Sequence, residues 1–315
     1  MTLLPDPSAP LPVRRRVPLA LPASWEIPTL ALFVGNGVLW AAGLEWFSAV
    51  SLPLGIAVVA VALVLHASLS HEILHDHPFR SRRANTALGI VQPGLVVPYL
   101  RFRDLHLAHH RDAALTDPYD DPESNYLDPD VWARLPHWRR VILQANNTLA
   151  GRMVLGPVLS QWRFVSDDIT AGRRGDRAVL RGWLWHLPGV VGVLAVVWQA
   201  AMPLWAYAAA IYAALSILRI RTFLEHRAHA QARGRTVIVE DRGPLAFLFL
   251  NNNLHVVHHM HPKVAWYRLP ALYRARRSHY LRRNDGYLYR SYAQVFATHF
   301  WRTKDPVAHP LWPRR

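Results

Sequence analysis

The chain has 315 residues, a formal charge of +15, no cysteine and 51% hydrophobic residues, with a mean hydropathy of +0.04. The missing cysteines exclude disulfides, thiolate metal sites, cysteine nucleophiles and a built-in iron–sulfur cluster. The chain is too apolar for a typical soluble enzyme and too charged for a bare bundle of spans, which predicts a few membrane spans carrying a sizeable water-facing part.

Residues 1–26 read as a Pro-rich tail. Arg14–Arg16 ahead of a short apolar run imitate a signal peptide, but Pro18, Pro22 and Pro28 break the run and Glu26 interrupts it, so an uncleaved cytosolic tail is expected. Two stretches, 27–44 and 50–70, are long enough to cross a hydrocarbon core of about 30 Å. The tetrapeptide Glu45-Trp46-Phe47-Ser48 is expected to join them. His66 falls inside the second span, where a packed or hydrogen-bonded core histidine is expected. The segment HEILHDH follows, and on a helix His71 and His75 share one face. His77, ahead of Pro78, is expected to sit behind any metal ligands rather than among them.

Residues 86–100 are too short and too broken by Pro and Gly to span, and are expected to dip into the interface. HLAHH then presents His106, His109 and His110 in one direction. The acidic stretch Asp112, Asp117, Asp120, Asp121, Glu123, Asp128 and Asp130 lacks EF-hand spacing and reads as a solvated loop or one paired with arginines. Arg-rich helices are expected near 131–165 and 268–283, lying on the lipid surface. Stretches 183–201 and 203–223 form a second pair of spans turning at Met202-Pro203. His226 and His229 come just after, and of the two His226 is nearer the membrane end. Residues 244–254 resemble 86–100 and lead into HVVHH, with His255, His258 and His259. Among the other histidines, His137, His186, His279, His299 and His309 are isolated and read as structural or solvated. Residues 301–315 read as a C-terminal tail.

Charge orients these pieces. Residues 17–79 and 183–218 contain no Lys or Arg, so the positive-inside rule places the tail, 71–182 and everything after 224 in the cytoplasm. All three histidine clusters then share one side. The same segregation argues against a nucleic-acid partner. Eight imidazoles from the three clusters are too many for one ion. They suit two, each with four or five nitrogens, and redox-active iron is the natural occupant.

Two other classes compete. HEILH also matches HExxH, in which Glu72 would be the general base of an intramembrane zinc protease. That reading leaves the six histidines of the HxxHH clusters unexplained, and the one Asp-Gly pair, Asp285-Gly286, lies in a basic region. A metal transporter would line its spans with ionisable ligands, yet the spans carry almost none beyond His66 and His186.

This combination of boxes resembles the membrane fatty acid desaturase family and its related carotenoid ketolases, carotenoid hydroxylases and alkane hydroxylases. The resemblance covers residues 30–300, and LTDPYDDPES is similar to a bacterial subgroup. It implies an all-α membrane protein: four transmembrane helices as two hairpins, with a cytosolic helical cap carrying the histidine boxes on a single domain over 27–300. The family pattern makes His71 and His75 box one, His106, His109 and His110 box two, and His255, His258 and His259 box three. It adds His226, 29 residues ahead of box three, to complete nine metal ligands. Thr222 stands where some acyl-CoA desaturases use an Asn to hold a metal-bound water. The implied activity is oxidation of an unactivated C–H bond in a lipid acyl chain by two iron ions with O2 as co-substrate. Fatty acid desaturation comes first, with hydroxylation or ketolation of a lipid, alkane or carotenoid as the alternative on the same scaffold. No catalytic group beyond the metal ligands is implied. Electrons would come from a separate ferredoxin-like carrier, and the expected location is a bacterial inner membrane. The spans and the stretches 86–100 and 244–254 are the expected walls of a lipid slot.

Overall fold

The computed structural model describes residues 26–110 and 113–312. The tail up to residue 25, with Arg14–Arg16, and Asp112 of the acidic stretch lie outside the described residues. The chain runs α1 (Ile27–Ala42), a π-helical turn (Gly43–Phe47), α2 (Ser48–Val50), α3 (Leu52–Leu74), α4 (Arg82–Gly89) and α5 (Tyr99–His109). Four cap helices follow: α6 (Pro129–Arg134), α7 (His137–Asn146), α8 (Leu149–Val154) and α9 (Gly156–Arg173). The second hairpin is α10 (Arg177–Gln199) and α11 (Leu204–Thr222). Beyond it come α12 (Pro244–Leu248), α13 (His255–Met260), α14 (Leu269–Ala275), α15 (Arg277–Arg283) and α16 (Tyr292–His299). Two short strands, β1 (Ile238–Val239) and β2 (Leu288–Tyr289), pair in parallel.

Among the described residues, four helices are long and apolar enough to cross a membrane: Ile27–Val50, Leu52–Leu74, Arg177–Gln199 and Leu204–Thr222. The first hairpin differs from expectation. Glu45-Trp46-Phe47-Ser48 is not the connection but a helical continuation of the first span, and the chain reverses at the extended residue Ser51. Staying helical keeps every backbone group satisfied internally, which an apolar surrounding rewards. Gly55 permits the tight return, because a Cβ there would lie 2.8 Å from Ser48 Cα. The two hairpin turns are tied together, with Met202 N–H donating to the Leu44 carbonyl at 3.1 Å and Ala201 N–H to Glu45 Oε2 at 3.1 Å.

Between the hairpins, α3 packs on α11. Ala206, Ala210 and Ala214 recur every fourth residue and are buried, and such a stripe of small residues lets two membrane helices approach closely. Val59, Ala60, Leu63 and Val64 of α3 fill that interface. The outer faces keep large apolar side chains exposed, among them Val34, Val38, Leu184 and Val191, as expected against lipid. Trp46, Trp198 and Trp205 are exposed together at the hairpin turns, the position of an interfacial aromatic belt. At the opposite end, the bidentate pair from Arg101 Nε and Nη2 to Asp168 (2.9 and 2.7 Å) joins α5 to α9. Trp183 Nε1 of α10 donates to the same carboxylate at 2.9 Å.

Candidate metal centre

Every box is carried by the end of a helix. His71 lies in the last turn of α3 and His75 caps it. His106 and His109 sit in the last turn of α5, with His110 as its cap. His226 follows α11 by one turn, and His255 opens α13. The fold gathers all nine histidines into two groups: His71, His75, His106, His110 and His258 in one, His109, His226, His255 and His259 in the other. Within each group the ligand nitrogens lie within 4.8 Å of one another. The groups adjoin, since the rings of His110 and His259 stack with centroids 4.2 Å apart.

Sequence clusters and spatial groups do not coincide. Box two splits, sending His106 and His110 to the first group and His109 to the second, and box three splits likewise. The reason is helical: positions i and i+4 share a face, whereas i+3 leans to the other side of the seam.

Acceptors behind the rings set their tautomers. His106 Nδ1 lies 2.8 Å from Glu123 Oε1 and His109 Nδ1 2.8 Å from Asp121 Oδ1. His255 Nδ1 lies 3.0 Å from Asn252 Oδ1. Each oxygen can only accept, so the proton belongs on Nδ1 and the Nε2 lone pair faces inward. Yet His109 Nε2 and His226 Nε2 are 2.9 Å apart, and His255 Nε2 and His226 Nε2 are 3.2 Å apart. In the other group His110 Nε2 is 3.0 Å from His106 Nε2 and 3.2 Å from His258 Nε2. One Nε2–H on His226 could serve only one of the lone pairs of His109 and His255, whereas a cation among the nitrogens serves both. Neighbouring ligands on one ion, at imidazole bonds of about 2.0–2.1 Å, have this spacing. The buried Nε2 atoms of His71 and His75 also lack any hydrogen-bond partner. The donor set therefore fits two metal ions, one held by five imidazoles and one by four.

Electrostatics agree with this fit. Burial first, and neighbouring imidazoles second, hold His75, His110, His226, His255 and His258 well below the usual histidine range; these are neutral rings, the form that binds metal. His109 is the exception: burial opposes the charged form, but Glu123 and Asp121 outweigh it and raise the ring to about 9, so a bound metal ion would have to displace that proton. Burial would raise Glu123, yet the facing His109 and His106 pull it below the usual carboxylate range.

Several expectations need correction. Asp121 and Glu123 are not part of a solvated loop: Asp121 is 2% exposed, and both carboxylates anchor box two. His77 belongs to neither histidine group, and its Nδ1 meets Glu26 Oε1 at 2.8 Å. Glu72 accepts from Trp266 N–H at 3.1 Å. His229 lies apart, 3.2 Å from Asp285. Sequence reasoning also passed over the asparagines ahead of box three. Asn251 Nδ2 donates to the Trp266 carbonyl, Asn252 Nδ2 to Glu225 and Asn253 Nδ2 to the Val239 carbonyl. Three consecutive asparagines ending the apolar run PLAFLFL were the available signal. Lys304 was missed too: its Nζ donates to the His226 carbonyl at 2.7 Å.

A cavity of about 610 Å³ abuts the centre, with His226, Glu225 and Thr222 at one end and Leu63, His66 and Ala67 of α3 along one wall. Gln92, Gly94, Val96 and Val97 line it, as expected of the stretch 86–100. The stretch 244–254 does not line it; α12 packs instead on α3, where the Leu248 carbonyl accepts from Ser68 Oγ at 2.8 Å.

Comparison with known proteins follows this geometry. A beta-carotene ketolase from Paracoccus sp. (strain N81106 / MBIC 01143) is 25% identical over 231 residues, covering 69% of this chain and 76% of the relative. The family model described as fatty acid desaturase matches residues 44–292, most of the chain and all nine converging histidines. Four spans, three histidine boxes and this match make it an integral membrane protein and an oxidoreductase, and the chain belongs to the fatty acid desaturase family.

Proposed function

We propose that the protein oxidises an unactivated C–H bond of a lipid, using O2 and electrons from a separate carrier. The observation that carries this reading is the convergence of nine imidazoles into a five-nitrogen and a four-nitrogen group at the end of a lipid-sized cavity. His71, His75, His106, His110 and His258 would hold one iron, and His109, His226, His255 and His259 the other. Bound iron would supply the redox chemistry of O2 activation.

The protein's own part is positional. Asp121, Glu123 and Asn252 keep Nδ1 protonated and so keep Nε2 available as a ligand. The cavity wall orients the chain and excludes water, so that one carbon is presented repeatedly to the centre. Acyl-chain desaturation, which takes one hydrogen from each of two neighbouring carbons, is the first assignment. The likeness to a beta-carotene ketolase supports a second, in which oxygen stays on the attacked carbon. The arginine distribution favours a centre facing the cytoplasm, where a basic face attracts an acidic ferredoxin-like carrier.

The test combines metal analysis of purified protein with lipid profiling of expressing cells under ¹⁸O-labelled O2. Two irons per chain and an unlabelled product with a new double bond are expected. A labelled product transfers the assignment to ketolation or hydroxylation. Zinc at one per chain removes the di-iron reading altogether.

A further inference from the structure

We propose that a polar notch in the cavity wall, formed by His66 and Ser70, recognises a hydroxyl group within the lipid substrate. This deepens the assignment above and rests on the cavity being the lipid site. The cavity carries charged side chains such as Arg101, Glu123 and Arg219, and an apolar part formed by Leu63, Ala67, Val96, Ala214, Leu215 and Leu218. His66, Ser70 and Gln92 interrupt it. An ionisable side chain inside a span is costly and marks a site of function unless it is paired.

His66 is 8% exposed; the Val91 backbone bonds its ring, but its Nε2 is shut off from solvent without a hydrogen-bond partner. Ser70, four residues on, lies on the same face of α3, about 6 Å along the axis. Its Oγ accepts from Gln92 Nε2 at 3.0 Å, and Gln92 Nε2 also donates to the Gly89 carbonyl at 2.7 Å. Both amide hydrogens of Gln92 are thereby used. The Ser70 hydroxyl proton has no acceptor among the described residues. The notch thus presents one free O–H donor and one free ring nitrogen, side by side in an apolar wall. A lipid hydroxyl can accept from the first and bond the second; a plain methylene leaves both unmatched, and a site built for a hydroxyl discriminates against the analogue lacking it. Ser70 directly precedes the proposed ligand His71, so a hydroxyl held here sets which carbon reaches the centre.

The experiment is competition binding of 12-hydroxystearate and stearate to the full chain in detergent, with metal present and after chelation. The parent is expected to bind the hydroxylated lipid about 10-fold more tightly. His66→Leu and, separately, Ser70→Ala are expected to bring the ratio close to one. Binding of both lipids with equal affinity in the parent, or a preference that survives both substitutions, overturns the notch and leaves the lipid cavity standing. Binding of neither lipid overturns notch and lipid cavity together.

Discussion

Asp121→Asn tests the anchoring of the four-histidine group. Asp121 Oδ1 faces His109 Nδ1 at 2.8 Å and accepts from Glu123 N–H at 2.9 Å, while Oδ2 accepts from Thr116 N–H at 2.9 Å. An asparagine has one oxygen for these donors. If that oxygen stays on the His109 side, Thr116 N–H is left buried and unpaired, at about 1–3 kcal/mol. If the amide nitrogen turns toward His109, the ring tautomer reverses and Nε2 carries a proton instead of a ligand lone pair. Either arrangement removes the charge supporting the ring. Loss of such a supporting partner lowers metal affinity about 10- to 100-fold, which is about 1.4–2.7 kcal/mol at 1.36 kcal/mol per decade. The assay is iron content after equilibration with graded chelator, alongside circular dichroism to establish folding. One iron is expected to leave the variant at a chelator concentration at least ten-fold lower than in the parent. Release of both irons at the parent's concentration from a folded variant would refute the anchoring role.

The remaining predictions concern other parts of the same architecture. His226→Ala is expected to reduce iron from two per chain to one, because His226 Nε2 faces both His109 and His255; two irons retained would remove His226 from the ligand set. Glu72→Gln keeps an oxygen for Trp266 N–H and is expected to leave both iron content and lipid oxidation at the parent's level, whereas loss of activity with the metal retained, the outcome for a general base, would bring the HExxH reading back. Asp168→Ala strands the nearly buried Arg101 guanidinium and the Trp183 N–H together, a cost of about 3–5 kcal/mol. Thermal inactivation in detergent should shift markedly downward, and a shift worth under about 1 kcal/mol would show that the pair carries little.

Local pattern was enough for some features and inadequate for others. The spans were legible because twenty apolar residues have few alternatives to crossing a bilayer. The exact turn of the first hairpin was not, since Glu45 and Ser48 look like loop residues, and only the contact with Gly55 and the Ala201 N–H explains why they stay helical. The 86–100 stretch was recognisable as a wall by its broken apolar run. The similar 244–254 stretch went elsewhere because α12 found its apolar partner on α3. His66 read as a core histidine, and its place along the cavity follows from packing between α3 and α11.

The histidine spacing alone predicted that three clusters each aim in one direction, which held for i and i+4 but not for i+3, and charge segregation predicted that they share a side of the membrane. Family resemblance added His226 to the set. Tertiary structure decided the rest: that neighbours in one box serve different groups, and that Asp121 and Glu123 rather than solvent stand behind box two. The physical reason is that a helix dictates the direction of its own side chains, while the acceptor behind a ring and the lone pair facing it come from segments distant in the chain. His109 Nε2 meets His226 Nε2 across a sequence separation of 117 positions, a distance over which no local pattern carries information.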